Sequence, residues 1–182
     1  MKNIQTLSNK IFKSPNDPNL YRAIRLSNNL FCLLVHDIET KKSAAAVNVM
    51  VGAIEDPPEF QGLAHFCEHM LFLGSKTFPV QNHYKEFINS NGGSSNAFTA
   101  SNMTVYYFDI ENSKFGSACD IFSKFFIEPL FSEDGVDKEI NAVNSEAVRN
   151  YNDDVRRKYQ ILKHLSNPES IYNKYSTGNL ET

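Results

Sequence analysis

The 182-residue sequence contains no tryptophan, only three cysteines and no long apolar segment. The cysteines are Cys32, Cys67 and Cys119, and no two of them have the C-x-x-C spacing of thiolate metal sites and redox motifs. This argues against a disulfide-stabilised scaffold and against a cysteine-based zinc site. No stretch reaches the roughly 18 consecutive apolar residues of a membrane-spanning helix, so we expect no membrane partner.

A basic surface is also missing. The chain has 18 lysines and arginines against 21 aspartates and glutamates, which gives a net charge of −3. Nucleic-acid-binding proteins need an excess of positive charge, so we expect no nucleic-acid partner. The first 20 residues lack an apolar signal core and an arginine-rich presequence pattern. We therefore expect a cytoplasmic protein, with an organelle as the alternative.

What the sequence does contain is a succession of strand-like and helix-like segments. The polar residues 1–20 predict a loose lead-in, followed by one domain over 21–182. The patterns predict strands within 21–40 with a turn at 27–29, and within 41–52 and 94–110; they predict helices over about 61–73, 81–90 and 114–128, and one long charged helix from Ser132 or Asp134 to near Pro168. This order predicts an α+β domain, with helices packed on one face of a mostly antiparallel sheet.

The stretch GLAHFCEHMLFLGS, residues 62–75, places three polar side chains in an apolar helix. His65 and His69 are four residues apart, so they share a helix face and can bind one Zn²⁺ ion. Glu68 lies beside them, where a carboxylate can take a proton from a zinc-activated water. The metal would be the partner that these polar groups need in an apolar setting. The alternative is an ordinary histidine pair next to an unrelated glutamate.

A catalytic zinc ion takes three protein ligands and keeps one open position, so the two histidines are not sufficient. The long C-terminal helix offers Glu139 and Glu146, which are two turns apart and lie on one helix face. Helix geometry alone does not choose between these two carboxylates. A charge that only faces solvent is the alternative for Glu139.

Three blocks of the sequence resemble the catalytic domain of the insulysin and pitrilysin metallopeptidases, most closely the insulin-degrading branch. They are HFCEHMLFLGSKTFP, GGSSNAFTASNMTVYYFDI and EINAVNSEAVRNYNDD, and the likeness runs from about Tyr21 to the C-terminus. In that family a glutamate follows the second histidine of H-x-x-E-H by 77 residues, and Glu146 occupies this position here. The resemblance thus implies one Zn²⁺ per chain held by His65, His69 and Glu146.

The same resemblance implies roles for the neighbouring residues. Glu68 would be the general base, and Glu139 a second carboxylate that supports the site. A peptide would bind as an added β-strand along residues 94–99, nearest to Asn96, Ala97 and Phe98. A role in the core is the alternative for Phe98.

The implied activity is that of a zinc-dependent endopeptidase acting on short unfolded peptides through a zinc-activated water. The implied fold is that of a pitrilysin-like metallohydrolase. Members of this branch carry four related domains, and only the first has the zinc motif. We therefore expect the first domain of a longer chain, with the other domains as partners, and weak or no cleavage by this piece alone. The alternatives are a non-catalytic partner subunit, an organellar processing peptidase, an unrelated zinc enzyme with the same helix, such as a non-peptidase lyase, and a metal-free α+β binding module.

Overall fold

The computed structural model describes residues 4–8 and 11–182, and the chain divides into the units Met1–Lys41 and Lys42–Thr182. The first unit holds an antiparallel sheet of three strands, β1 (Gln5–Ser8), β2 (Leu20–Arg25) and β3 (Phe31–His36). β2 and β3 form the predicted hairpin, and Asn29 in its turn has a positive φ of 68°. β1 lies within the lead-in, so part of residues 1–20 is a paired strand rather than loose chain.

The second unit contains the remaining strands and helices of the described residues. In chain order they are β4 (Lys42–Val49), α1 (Leu63–Leu71), α2 (His83–Ser90), β5 (Ser94–Thr99), β6 (Thr104–Glu111), α3 (Phe115–Ile127), α4 (Glu133–Asn150) and α5 (Asp154–His164). The three strands form an antiparallel sheet in the order β4–β6–β5. β6 is therefore the central strand of this sheet, and β5 is an edge strand.

The core of the second unit lies on one face of this sheet. Burial alternates along β6, so that Tyr106, Phe108 and Ile110 point into the core while Tyr107 is exposed. Helices α2 and α3 cover that face with aromatic and aliphatic side chains, among them Tyr84, Ile88, Ile121, Phe122 and Phe125. Each fully buried side chain of this size stabilises the fold by about 1.5–3 kcal/mol. The predicted α+β class, with helices on one face of an antiparallel sheet, is confirmed.

The single long C-terminal helix was a wrong prediction. The chain forms α4 and α5 instead, and the break falls between Asn150 and Asp154. The side chain of Asp153 accepts hydrogen bonds from the backbone N–H groups of Val155 and Arg156 at 2.9 and 3.1 Å. This is an N-cap, which starts a new helix where a continuous polar pattern suggests none.

Helix α4 lies against α1, and this contact positions the polar residues of both helices. Val143 and Ala147 are buried on the same side of α4 that carries Glu139 and Glu146. Near the start of α4, a Cβ added to Gly135 would lie 2.9 Å from a side-chain atom of Leu73, so this side chain packs directly against the backbone of Gly135. Among the described residues, no helix is both long and apolar enough to cross a membrane.

Candidate metal centre

His65 and His69 extend from adjacent turns of α1 toward one carboxylate of α4. Their ring centroids are 4.8 Å apart and the ring planes are nearly perpendicular, at 87°. The Nε2 atom of each imidazole lies 3.7 Å from Oε2 of Glu146. Two atoms that bind one zinc ion at about 2.0–2.1 Å can be at most about 4.2 Å apart. Each histidine–glutamate pair therefore has the separation of two ligands of a common ion.

Hydrogen bonds on the far side of each ring determine which nitrogen is free. Nδ1 of His65 lies 2.6 Å from the carbonyl oxygen of Thr177, and Nδ1 of His69 lies 3.0 Å from Oε2 of Glu139. Both oxygens are acceptors, so each Nδ1 carries the proton and donates it. The lone pair of each Nε2 then faces Glu146. Two lone pairs opposite a carboxylate need a cation between them, so this donor set fits a metal ion.

The electrostatics of the cluster agree with this arrangement. The carboxylate of Glu146 beside Nε2 is the main factor that raises the pKa of His69, ahead of the opposing effect of burial. The same contact to His69 lowers the pKa of the Glu146 carboxyl group. Both shifts have the same cause, the short separation of the His69 imidazole and the Glu146 carboxylate, which favours a positive charge between them.

Glu68 lies on the same helix but makes a different contact. Its side chain is buried, and Oε2 accepts a hydrogen bond of 2.5 Å from the hydroxyl group of Thr99, at the end of β5. Glu68 lines the same cleft as the two histidines and Glu146. One carboxylate oxygen is therefore fixed by Thr99, in a position beside the three donor atoms. The sequence contained no signal for this contact, because Thr99 is 31 residues away.

The cleft has a volume of about 550 Å³ and is bounded on one side by the edge strand β5. Asn96, Ala97 and Phe98 all line it. Ala97 also packs against the core, whereas Phe98 is 46% exposed and so is not a core aromatic residue. The structure brings these three residues to the same cleft as the metal donors. Their role in binding a substrate stays a prediction.

Sequence reasoning missed the contacts that hold the start of α1. The carboxylate of Asp56 accepts hydrogen bonds from the backbone N–H groups of Gly62 and Ala64, both at 2.8 Å. Asp56 is six residues before Gly62, outside the usual N-cap spacing, so the capping pattern does not reveal it. The ammonium group of Lys174 donates to the carbonyl oxygens of Ile54 and Asp56 at 2.6 and 2.5 Å. These bonds hold the segment that contributes the carbonyl group of Thr177.

The α+β domain and the inverted H-x-x-E-H helix define the class of protein, a metal-dependent hydrolase. The family model described as "Insulinase (Peptidase family M16)" matches residues 32–169. The chain belongs to this family of peptidases.

Similar proteins agree with the family assignment. The chain is 48% identical over 180 residues to the A-factor-processing enzyme of Saccharomyces cerevisiae, and the match covers 99% of the chain and 18% of the relative. It is 45% identical over 179 residues to the insulin-degrading enzyme of Homo sapiens, covering 98% and 18% respectively. The crystal structure of pitrilysin superposes with a TM-score of 0.94 at 39% identity, covering 100% of this chain and 19% of that one. The chain therefore spans less than a fifth of the length of these relatives.

Proposed function

We propose that this chain is the catalytic domain of a zinc-dependent endopeptidase that cleaves short unfolded peptides. The observation that carries the proposal is the convergence of both Nε2 atoms on one carboxylate oxygen of Glu146, each at 3.7 Å. His65, His69 and Glu146 would hold one zinc ion, and Glu139 and the carbonyl group of Thr177 would orient the two imidazoles. When bound, the zinc ion supplies Lewis acidity that polarises a peptide carbonyl group and acidifies a water molecule.

The residues of the chain supply the proton transfers and the binding of the peptide. Glu68 accepts a proton from the attacking water and passes it to the leaving amine nitrogen. Thr99 holds one oxygen of that carboxylate, which leaves the other free for the transfer. The open edge of β5 offers backbone N–H and C=O groups to an extended peptide. Backbone pairing recognises peptides of many sequences, which suits an enzyme for unfolded substrates.

Metal analysis of purified protein tests the ligand set. We expect about one zinc per chain in the parent, as a three-ligand site implies. His69→Ala and Glu146→Gln should each contain much less zinc. Glu133→Gln, at the exposed start of α4, is the matched carboxylate control and should retain the metal. Equal zinc in all four proteins would rule out the proposed ligands.

Peptide hydrolysis by the complete polypeptide tests the role of Glu68. Glu68→Gln should keep its zinc and lose about 10²–10⁴-fold in the rate of hydrolysis, because the proton carrier is gone. A non-catalytic partner subunit, the rival within the family, would show no hydrolysis in the parent either. An unchanged rate in Glu68→Gln would assign the proton transfer to another group.

The activity of the 182-residue chain by itself is a separate prediction. The relatives are more than five times longer than this chain. We propose that further domains of the complete polypeptide enclose the peptide that lies in the cleft. The chain alone should bind zinc but cleave a fluorogenic peptide weakly or not at all. Full turnover by the chain alone would contradict this.

Cytoplasmic localisation stays part of the proposal.

A further inference from the structure

Arg156 lines the metal cleft, and no side chain of the described residues neutralises its charge. Within the described residues its guanidinium group has no ion pair or hydrogen bond; only its backbone N–H is engaged, by Asp153. The three carboxylates of the cleft have other partners: Glu68 with Thr99, Glu139 with His69, and Glu146 with both imidazoles. A positive group beside a peptide cleft is therefore free to bind a negative group of a ligand.

The position of Arg156 places this charge at a junction of two cavities. Arg156, Ser176 and Thr177 line both the metal cleft and a neighbouring cavity of about 270 Å³. This shared wall lies next to the metal donors, since the carbonyl group of Thr177 is 2.6 Å from Nδ1 of His65. Three of the other seven residues that line the second cavity are tyrosines, Tyr151, Tyr159 and Tyr175. It has room for a side chain or a chain end of a bound peptide.

We propose that Arg156 binds a carboxylate group of the peptide substrate and so determines specificity next to the scissile bond. The guanidinium group can donate two parallel hydrogen bonds to a carboxylate. The carboxylate comes either from an aspartate or glutamate side chain or from the C-terminus of the peptide. This inference rests on the proposed function, because it assumes a peptide in the cleft.

The other cations near the cleft have different surroundings. Lys85 also lines the metal cleft, but its ammonium group lies 5.6 Å from the ring centroid of Phe72, and Lys85 does not line the second cavity. Arg157 lines the second cavity but not the metal cleft, and it pairs with Asp154 at 3.2 Å. Arg156 is thus the cation of the metal cleft that has no partner within the described chain. It also belongs to the wall shared with Thr177, the residue whose carbonyl group contacts His65.

Peptide binding to the zinc-loaded complete polypeptide, carrying Glu68→Gln to prevent cleavage, tests the subsite. Two pairs of fluorescein-labelled peptides are compared by polarisation: internal glutamate against glutamine, and a free C-terminal acid against the amide. We expect the acidic member of one pair to bind about 3–10-fold more tightly, as for a charged hydrogen bond that is partly exposed. The pair that responds identifies the source of the carboxylate.

Substitutions at Arg156 then assign the preference to this residue. Arg156→Gln should abolish it, Arg156→Lys should keep part of it, and Arg156→Glu should reverse it. Lys158→Gln removes the same charge from an exposed position of α5 outside both cavities, and should leave the preference unchanged. Equal affinities within both pairs, or a preference that survives Arg156→Gln, would overturn the subsite.

Cleavage of the same peptides, with Glu68 intact, separates this inference from the proposed function. Cleavage without any preference for the acidic peptides would retain the peptidase and remove the subsite. A binding preference that depends on Arg156, without any cleavage, would retain the subsite and remove the peptidase activity.

Discussion

The carboxylate of Glu139 determines which nitrogen of His69 is available to a metal. It lies 3.0 Å from Nδ1, whereas Glu146 lies 3.7 Å from Nε2 of the same ring. The two glutamates are two turns apart on one helix face, and the sequence pattern left their roles open. Their contacts in the structure distinguish them, because one faces each side of the imidazole. These contacts support the proposal that Glu139 orients His69 and that Glu146 is the carboxylate on the metal side.

Removing the carboxylate of Glu139, which accepts the hydrogen bond from Nδ1 of His69, should weaken zinc binding without removing a proposed zinc ligand. We expect Glu139→Ala to lower zinc affinity by about 10–100-fold, as is typical when a histidine ligand loses its orienting partner. Glu139→Gln keeps an acceptor oxygen and should have a smaller effect. Competition with a chelating dye measures both. Wild-type affinity in Glu139→Ala would show that the orientation of His69 does not depend on this carboxylate.

At the scale of elements, the position of α1, the helix that carries the two histidines, depends on a close contact between its start and the segment 174–178. Gly62 begins α1 with φ of 98°, a conformation that favours glycine, and a Cβ added there would lie 2.3 Å from Cα of Gly178. Thr177, the neighbour of Gly178, is the residue whose carbonyl group orients His65. The absence of a side chain at Gly62 thus allows the backbone approach that orients the imidazole of His65.

Gly62→Ala should destabilise the fold and disturb the site together. Because the new Cβ meets backbone atoms in a strained conformation, we expect a loss of about 2 kcal/mol or more in the free energy of unfolding, and weaker zinc binding. Gly116→Ala is the matched control. It lies in α3 with open space around its Cα, so alanine should be neutral or stabilise by up to about 1 kcal/mol. Urea unfolding measures both variants, and similar results for the two would contradict the close-contact argument.

At the scale of the whole molecule, stability is expected to depend on one buried ammonium group. Lys163 is 5% exposed, and burial lowers its pKa. Its Nζ lies 5.5 Å from the ring centroid of Tyr159, and no carboxylate of the described residues forms an ion pair with it. Because the pKa is lower in the folded state, the unfolded chain binds more protons between the folded and unfolded pKa values. Stability therefore rises with pH across this interval, and the cost of burying the charge is fully present below it.

Lys163→Met should remove this cost, because methionine keeps the apolar stem without the charge. We expect a gain on the order of 1 kcal/mol near neutral pH and a flatter dependence of stability on alkaline pH. Lys158→Met, at an exposed position of the same helix, should change stability by less than about 0.5 kcal/mol. Denaturant unfolding between neutral and alkaline pH measures both. A loss of stability in Lys163→Met would indicate a favourable partner for the ammonium group.

The sequence by itself determined what depends on short-range periodicity. The four-residue spacing of His65 and His69 places them on one helix face, and the strand-like residues 94–110 predict the segment that forms β5 and β6. The edge position of β5 and the choice between Glu139 and Glu146 were accessible only through the family resemblance. The capping role of Asp153 is also local, but the charged pattern around it hid the helix break.

Only the tertiary structure decided which distant groups meet at the two histidines. The carbonyl group of Thr177 is 112 residues from His65, and Glu139 is 70 residues from His69. No local pattern encodes such contacts, since a backbone carbonyl group has the same chemistry at every position. They result from the packing of α4 and of the segment 174–178 against α1. Short-range geometry thus determined the donors on α1, and long-range packing determined their orientation and the groups around them.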